Sequence, residues 1–450
     1  MSDWELEFDE LNELAEKSQF KKLKAILDEK NEMDVAEFIS QLPHEKALAT
    51  FRILQKDLAS DVFACMEPDQ QEEIVSSISD TELNLIIEDL ATDDAVDLVE
   101  EMPANVARRI LRLATAQTRN QINQYLKYPE NSAGSIMTSE YVALRAAMNV
   151  QDAFQYIRQH GVDKETIYTC YVIDEKRKLI GVITLKDLLM NPYEAVIRDI
   201  MDDNVIQVTT TEDSEEVSQL FNRYDLLALP VVDSESRLVG IVTVDDAVDV
   251  MEQEATEDIQ KIAAIAPSEK PYLKMSVLTL ARNRIVWLLV LMVSSMFTGS
   301  ILEHYEAAFA SVPLLVTFIP MLTGTGGNAG SQASTMIIRS MTLGEVEPRD
   351  ALRVLWKEFR VSLLCGSALA LVNYIRLIIM YPGKEMICLV VALSVMGIVI
   401  MAKALGCLLP IAARCLHLDP TLMASPLIST ILDAASLILY FQIASCLLTF

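Results

Sequence analysis

Pro320-Met321-Leu322-Thr323-Gly324-Thr325-Gly326-Gly327-Asn328-Ala329-Gly330-Ser331-Gln332 lies inside an apolar stretch, 307–338. It places four glycines, an asparagine and a glutamine at the depth of a bilayer. Unwound or polar backbone at that depth is tolerated only when it is buried in protein or lines water. Small residues there also let helices pack closely. Packing alone does not call for Asn328 and Gln332, so the stretch reads as pore or binding wall. Gly326, Gly327, Asn328 and Gln332 are its candidate residues.

Four further stretches flank it: 285–302, 361–380, 386–411 and 422–450. The first is 18 residues without a charge. Each approaches or exceeds the roughly 20 residues that cross a bilayer. Five crossings put the two termini on opposite sides. Arg282 and Arg284 precede the first stretch. Arg339, Arg349, Arg353, Lys357 and Arg360 separate the second from the third, and Arg414 separates the fourth from the fifth. The alternate loops hold mainly Glu303, His304, Glu306, Lys384 and Glu385. Basic loops stay cytoplasmic, so the chain reads as a multi-pass protein of the cell membrane, N-terminal part inside and C-terminus outside.

The last stretch carries one charge, Asp433. Ser425, Ser429, Asp433, Ser436 and Tyr440 fall on one face at helical spacing, with Leu432 and Leu439 elsewhere. A carboxylate at membrane depth costs at least ~2.5 kcal/mol and needs a cation, a proton or a basic partner. Lys403 is the competing structural partner. Carboxylate, amide and carbonyl oxygens form a hard-ligand set that favours Mg²⁺ or Ca²⁺ over zinc or copper. A hydrated Mg²⁺ suits one Asp per subunit, doubled by a two-fold axis; the need to build a pore from five helices suggests that dimer.

Upstream the character reverses. Residues 1–270 hold 55 acids and 25 bases, against 9 and 12 in 271–450. An acidic half is thus joined to a membrane half. Unassisted binding to nucleic acid is disfavoured, because phosphate contacts need clustered Lys and Arg. The seven cysteines form no CxxC pair, so neither a zinc knuckle nor a disulfide framework is indicated. The acidic start, Met1-Ser2-Asp3-Trp4-Glu5, lacks the apolar core of a signal peptide.

Residues 1–130 read as an all-α domain, glycine-free before Gly134. Short echoes end at prolines: Asp34-Val35-Ala36-Glu37 before Pro43, Ser60-Asp61-Val62-Phe63 before Pro68, and Asp94-Ala95-Val96-Asp97 before Pro103. Stacked helix hairpins in a superhelix are the expected architecture. Residues 131–250 contain an α/β repeat at an offset of 59. Asp174 matches Asp233, Leu179 matches Leu238, Gly181 matches Gly240, Thr184 matches Thr243 and Asp187 matches Asp246. Ile136-Met137 pairs with Ile200-Met201. This unit of strand, turn, strand and Thr-x-x-Asp helix resembles a tandem CBS-domain pair, which implies a sensor of adenine nucleotides or metal. The Thr184/Asp187 and Thr243/Asp246 pairs suit ribose contacts, making ATP a candidate ligand; they read equally as helix caps.

An acidic amphipathic helix over 245–270, whose part 251–270 is the connecting segment, leads to the membrane domain, 271–450, with Pro267 as its expected end. Asp245, Asp246, Asp249, Glu252, Glu254, Glu257 and Asp258 are interleaved with Val248, Met251, Ile259 and Ile262.

Taken in order, these features resemble the MgtE family of magnesium channels over essentially the whole chain. The residues that carry the resemblance are the CBS pair, Glu254-Ala255-Thr256-Glu257-Asp258, the Gly-Gly-Asn-Ala-Gly-Ser-Gln run, Asp419-Pro420 and Asp433. The resemblance implies a homodimeric Mg²⁺ channel lined by the second and fifth spans, with Asp433 at the pore. It further implies a connecting helix that closes the pore at high cytoplasmic Mg²⁺. Glu254, Glu257 and Asp258 match that helix's acids, Asp419 matches the acid at the cytoplasmic mouth, Asp246 and Asp249 the end of the second CBS unit, and Asp93 and Asp97 the N-domain acids facing it. Independently, divalent ions bridging facing carboxylates would offset the self-repulsion of the acidic half and compact it.

Other classes fit less well. His44, His160, His304 and His417 form no His-Glu-x-x-His motif, and no P-loop is present, so neither an intramembrane zinc protease nor an ATP-driven pump is supported. A proton-coupled or broader divalent-cation carrier (Co²⁺, Mn²⁺) and a membrane-anchored sensor remain the alternatives.

Overall fold

A computed structural model describes residues 3–162, 164–268, 272–273, 275–305, 312–423 and 425–448. Glu306, the start of the expected second stretch (307–311), residues 269–270 and 449–450, and the side chain of Ser425 lie outside this description. The chain divides into two compact units, Met1–Met251 and Glu252–Phe450.

In the first unit, ten helices lie between Asp3 and Tyr125 among the described residues. The proline echoes mark their junctions: Pro43 and Pro103 precede the helices His44–Phe51 and Ala104–Leu113, and Pro68 opens Pro68–Ser77. A proline lacks the N–H that a first helical turn would leave unpaired, so it starts a helix without cost. Helices stack on the next but one along the chain: Glu32–Ser40 on Lys56–Ala64, and Lys56–Ala64 on Asp80–Ile87. Phe38, Phe63, Leu83 and Ile110 are fully buried between them. Helix α1 (Thr92–Glu101) brings its acids to the end of this stack that meets the repeat.

The repeat forms two three-stranded sheets. β1 (Ala143–Arg145), β2 (Thr169–Ile173) and β3 (Leu179–Thr184) make one; β4 (Val208–Thr209), β5 (Ala228–Val232) and β6 (Leu238–Thr243) make the other. In each, the first pair is parallel and the second antiparallel. Tyr171 opposite Val182 corresponds to Pro230 opposite Ile241, so the offset of 59 is a structural register. The repeated methionines explain the repeated glycines. A Cβ on Gly181 would lie 2.5 Å from Met201 Sδ, and one on Gly240 would lie 2.7 Å from Met137 Sδ. No side chain larger than hydrogen fits without movement.

Helix α2 (Val244–Ile262) begins where the acidic amphipathic helix is expected and runs unbroken through residue 251 into the connecting segment. It stops at Ile262, short of Pro267. The stop is a Schellman closure: Ile265 N donates to Gln260 O at 2.9 Å and Ala264 N to Lys261 O at 2.9 Å. Ala264 takes φ +55°, where glycine is usual. The chain has no glycine between Gly240 and Gly299, so an alanine carries the turn.

The second unit holds α3 (Val277–His304), α4 (Ile319–Thr342), α5 (Ala351–Met380), α6 (Glu385–Cys415) and α7 (Ser425–Leu447). By length and composition, four segments of the described chain can cross a membrane: Val277–His304, Pro348–Met380, Glu385–Cys415 and Pro426–Leu447. The 24-residue α4 is long enough, but its Gly, Thr, Ser and Asn content keeps it outside that set. The glycine run is not unwound. It is continuous helix from Ile319 to Thr342, preceded by a 3₁₀ turn, Pro313–Phe318.

A glycine-packed membrane helix and two acidic clusters

Helix α4 is two-faced. Gly326, Gly327, Ala329, Gly330, Ala333 and Ser334 are buried, whereas Gly324, Asn328, Gln332, Thr335 and Arg339 are exposed. The glycines are contact points. A Cβ on Gly326 would lie 2.6 Å from Ser436 Oγ, one on Gly327 3.4 Å from Ser429 Oγ, and one on Gly330 2.1 Å from Leu432 Cδ1. Close packing therefore accounts for Gly326 and Gly330, a role that the sequence reading weighed below pore lining, whereas a Cβ on Gly327 would make only ordinary contact. The amides of Asn328 and Gln332 remain outside that packing. Exposed amides on a helix packed among apolar helices need another chain or water.

The contacts also fix directions. Residues 326 to 330 of α4 run against 436 down to 428 of α7, so the two are antiparallel. Gly326 meets Ile398, and Gly330 and Ala333 meet Gly406, so α4 and α6 are parallel. Gly366 meets Met396 and Glu358 meets Lys403, so α5 and α6 are antiparallel.

On α7 the expected polar face divides. Ser436 and Tyr440 are fully buried, and Tyr440 donates its hydroxyl to Leu315 O at 3.1 Å, so Tyr440 anchors the 3₁₀ turn. Leu432, expected to point elsewhere, is fully buried on that side. Ser429 and Asp433 are half-buried at its edge. Asp433 has no hydrogen-bond or ion-pair partner among the described residues. Lys403, its competing partner in the sequence reading, instead pairs with Glu358 at 3.3 Å, both largely buried.

The first acidic cluster lies within Met1–Met251. Asp93 and Asp94 open α1, and Asp245 and Asp246 open α2. Two helix N-termini bring partial positive charge there, which offsets part of the repulsion. Glu140 and Glu165 complete the group; Glu140 accepts from Thr92 Oγ1 at 2.8 Å. Burial, then Asp94, Asp246 and Glu165, push the Asp93 carboxyl well above its ordinary range. Asp93 Oδ1 is buried without a hydrogen-bond partner. Burial, Asp245, Glu140 and Asp61 raise Asp94 to about 6. Asp246 is pushed up to about 6 by burial, against a hydrogen bond from Thr243, with Asp245 and Asp94 adding to the rise. Asp97 is raised by desolvation and by Glu101 and Asp94, but it sits at the rim in contact with solvent. The structure thus brings Asp93, Asp97 and Asp246 together, and adds Asp94, Asp245, Glu140 and Glu165, which sequence spacing did not reveal. Asp249 lies exposed on α2, three residues beyond Asp246. Among the described residues, no three His, Cys, Asp or Glu side chains converge closely enough to cage a bare ion. Among the described residues, Asp93 Oδ1 is the carboxylate oxygen of this group that is buried without a hydrogen-bond partner.

The second cluster lies within Glu252–Phe450. Lys261 pairs with Glu257 one turn back and with Asp419 Oδ2 at 2.9 Å. Asp419 Oδ1 accepts from Thr421 N at 2.9 Å and Thr421 Oγ1 at 2.6 Å. Asp258 is raised by burial and by Asp419. Glu254 is half-buried on the same helix. The sequence reading named these acids and missed Lys261, although Glu257–Lys261 at i, i+4 was a legible signal.

The two Thr-x-x-Asp pairs are caps. Thr184 Oγ1 lies 2.5 Å from Asp187 Oδ2 and accepts from Asp187 N at 3.1 Å. Thr243 Oγ1 donates to Asp246 Oδ2 at 2.5 Å.

Family models match along the chain: a divalent cation transporter domain over 319–443, an MgtE intracellular N domain over 30–131, and CBS domains over 133–193 and 197–253. The magnesium transporter MgtE of Thermus thermophilus is 36% identical over 442 residues, covering 97% of this chain and 98% of that one. The protein of that name from Bacillus subtilis is 32% identical over 426 residues, 94% of this chain and 93% of that one. A crystal structure of the cytosolic domain of the Mg²⁺ channel MgtE in complex with ATP aligns with TM-score 0.51 and 36% identity, covering 53% of this chain and 98% of that one. A structure of the soluble part of a magnesium transporter aligns at 0.53 and 30%, covering 56% and 100%. The helical N-domain and the CBS pair thus share the fold of these cytosolic structures. The glycine-packed helices are those of a transport family rather than of an enzyme, and the chain belongs to the MgtE family of magnesium transporters.

Proposed function

We propose that the chain carries Mg²⁺ across the cell membrane along a path walled by α4 and α7, with the acidic N-terminal domains in the cytoplasm. The observation that carries this reading is Asp433. It is a carboxylate without a partner among the described residues, on a membrane-length helix packed against the helix that exposes Asn328 and Gln332. A carboxylate in that setting calls for a cation or a proton, and the oxygen-rich surroundings favour the cation. Mg²⁺ releases its water reluctantly, so the carboxylate and the amides would hold the hydrated ion by its water shell.

The finer architecture follows from helix directions. α4 runs parallel to α6 and antiparallel to α7, and both of those are membrane-length helices. A helix clamped lengthwise between two crossing helices crosses with them, giving five spans and a C-terminus outside. One copy leaves the amide face of α4 open. A second copy related by a two-fold axis would close it, making a homodimer with two Asp433 side chains at one pathway.

Regulation is read from the charge. Asp93, Asp94, Asp97, Asp246 and Asp249 would hold hydrated Mg²⁺ in the first unit; Glu254, Glu257, Asp258 and Asp419 surround the connecting helix in the second. Divalent ions would cancel the repulsion, favour the compact state and close the path at high cytoplasmic Mg²⁺. ATP is a proposed ligand of the CBS pair near Thr184 and Asp187.

Mg²⁺ uptake into liposomes, with the cytoplasmic face held at low or at ~10 mM Mg²⁺ to saturate weak carboxylate sites, tests the reading. Uptake at low Mg²⁺ that fades at high Mg²⁺, and that Asp433→Ala abolishes, supports it. Absence of uptake by the folded wild type overturns it. Uptake that depends on an opposing proton gradient, or that is equal for Co²⁺ and Mn²⁺, replaces it with the exchanger or the broad divalent carrier.

A further inference from the structure

The cation found among the connecting-helix acids is the chain's own. Lys261 Nζ bridges Glu257 and Asp419 Oδ2, the latter at 2.9 Å. Both ends of this bridge are built. Asp419 is fixed by two hydrogen bonds from Thr421 to its other oxygen, which set the turn into the 3₁₀ helix Pro420–Met423. Lys261 stands on the Schellman turn, and the preceding Gln260 exchanges hydrogen bonds with Ser268: Nε2 to the carbonyl at 3.2 Å, and Ser268 N to Oε1 at 2.7 Å. Just before Ser268, Ala266 N donates to Asn283 O of α3 at 3.0 Å. The lysine stem is three-quarters covered, so the ammonium is not a loose surface charge.

We infer that Lys261 is an internal counter-ion that docks the end of α2 onto the Asp419 turn without metal. This rests on the reading of α2 as the element that closes the pathway. Two of the acids that the family resemblance placed around the closing helix then share one built-in positive charge, which offsets half of theirs. Mg²⁺ at this level does not create the Glu257–Asp419 bridge. It adds charge compensation at Asp258, whose carboxylate feels Asp419 and Glu257 against Lys261 and Arg339. A lysine tether makes closure partly independent of metal, so it sets how low cytoplasmic Mg²⁺ must fall before the path opens.

Hydrogen exchange of full-length protein in lipid nanodiscs with EDTA tests this, read at amides 255–265. Wild type is expected to be protected without metal, as is Lys261→Arg. Lys261→Met should lose about tenfold in protection, the scale of one hydrogen bond to a charged group. The charge swap Lys261→Asp with Asp419→Lys should regain it, which separates a lost bridge from a misfolded variant. Equal protection of wild type and Lys261→Met in EDTA overturns the inference, as does a swap that fails to recover when its membrane helices remain protected. Flux is read separately. Lost protection with raised flux at low Mg²⁺ supports both readings. Lost protection with unchanged flux leaves the tether standing and refutes α2 as the closing element.

Discussion

A Cβ placed on Gly406 of α6 would lie 2.4 Å from the carbonyl oxygen of Gly330 on α4. The two backbones touch there, and no side chain separates the helices. Such contacts replace the hydrophobic drive that lipid removes, because helix association in a bilayer depends on close packing.

Gly406→Ala is therefore expected to destabilise the membrane unit by about 1–3 kcal/mol, as overpacking does. Gly330→Ala meets the buried Leu432 at 2.1 Å, with Ile428 at 3.2 Å and the Ala402 carbonyl at 3.3 Å, and should also destabilise. Gly324→Ala meets nothing within 4 Å and should be neutral or slightly stabilising. Denaturation of the purified variants in detergent ranks them. An equal cost at 324 and 406 would contradict the packing account.

Asp433→Asn keeps the shape and removes the charge. Flux is expected to fall about 10- to 100-fold, the scale of one hydrogen bond to a charged group. Asn328→Ala should alter selectivity between Mg²⁺ and Ca²⁺ while leaving the fold intact. Liposome flux with both ions, alongside circular dichroism, checks each variant.

The first acidic cluster predicts a pH dependence with a definite sign. Asp94 and Asp246 titrate near 6 in the compact unit, against an ordinary value of 3.8. The compact state binds more protons than the opened one across that window. Its stability is therefore full below about 4 and is lost as pH rises through about 6. Mg²⁺ would take over the role of the protons, so added Mg²⁺ should stabilise the compact unit far more at pH 7.5 than at pH 5. Protease resistance of the full chain at the two pH values, with and without Mg²⁺, reads this directly. A benefit equal at both pH values would remove the cluster from metal sensing.

Asp93→Asn removes the charge from the carboxyl group whose Oδ1 is buried without a partner among the described residues. Metal-free compaction should rise, because a buried charge disappears. The Mg²⁺ concentration that protects half of the unit should depend less steeply on pH. The same proteolysis assay tests it, and unchanged behaviour would place the ion elsewhere.

Thr184→Val removes a helix cap and should cost about 1 kcal/mol with or without ATP. Calorimetric ATP titration separates the two roles of the hydroxyl. A tenfold or greater loss of ATP affinity would assign it to the ribose rather than to Asp187 alone.

Much of this was written in linear order. Repeat offsets, charge segregation, apolar length and the lone Asp433 are properties of neighbours along the chain, and periodicity alone converts them into helices, strands and spans. The offset of 59 became a strand register, and three prolines became helix junctions. What the sequence could not assign was partnership between distant residues. Lys403 chose Glu358 rather than Asp433, and Lys261 chose Asp419. Gly326, Gly327 and Gly330 turned out to face Ser436, Ser429 and Leu432, while Asn328 and Gln332 faced away. Asp94 and Asp245 joined Asp93 and Asp246 because two helix N-termini converge, and Glu140 and Glu165 reach the same group from loops. Charge and packing act through space at a few ångströms, and only folding decides which of many chemically equivalent partners comes within that reach.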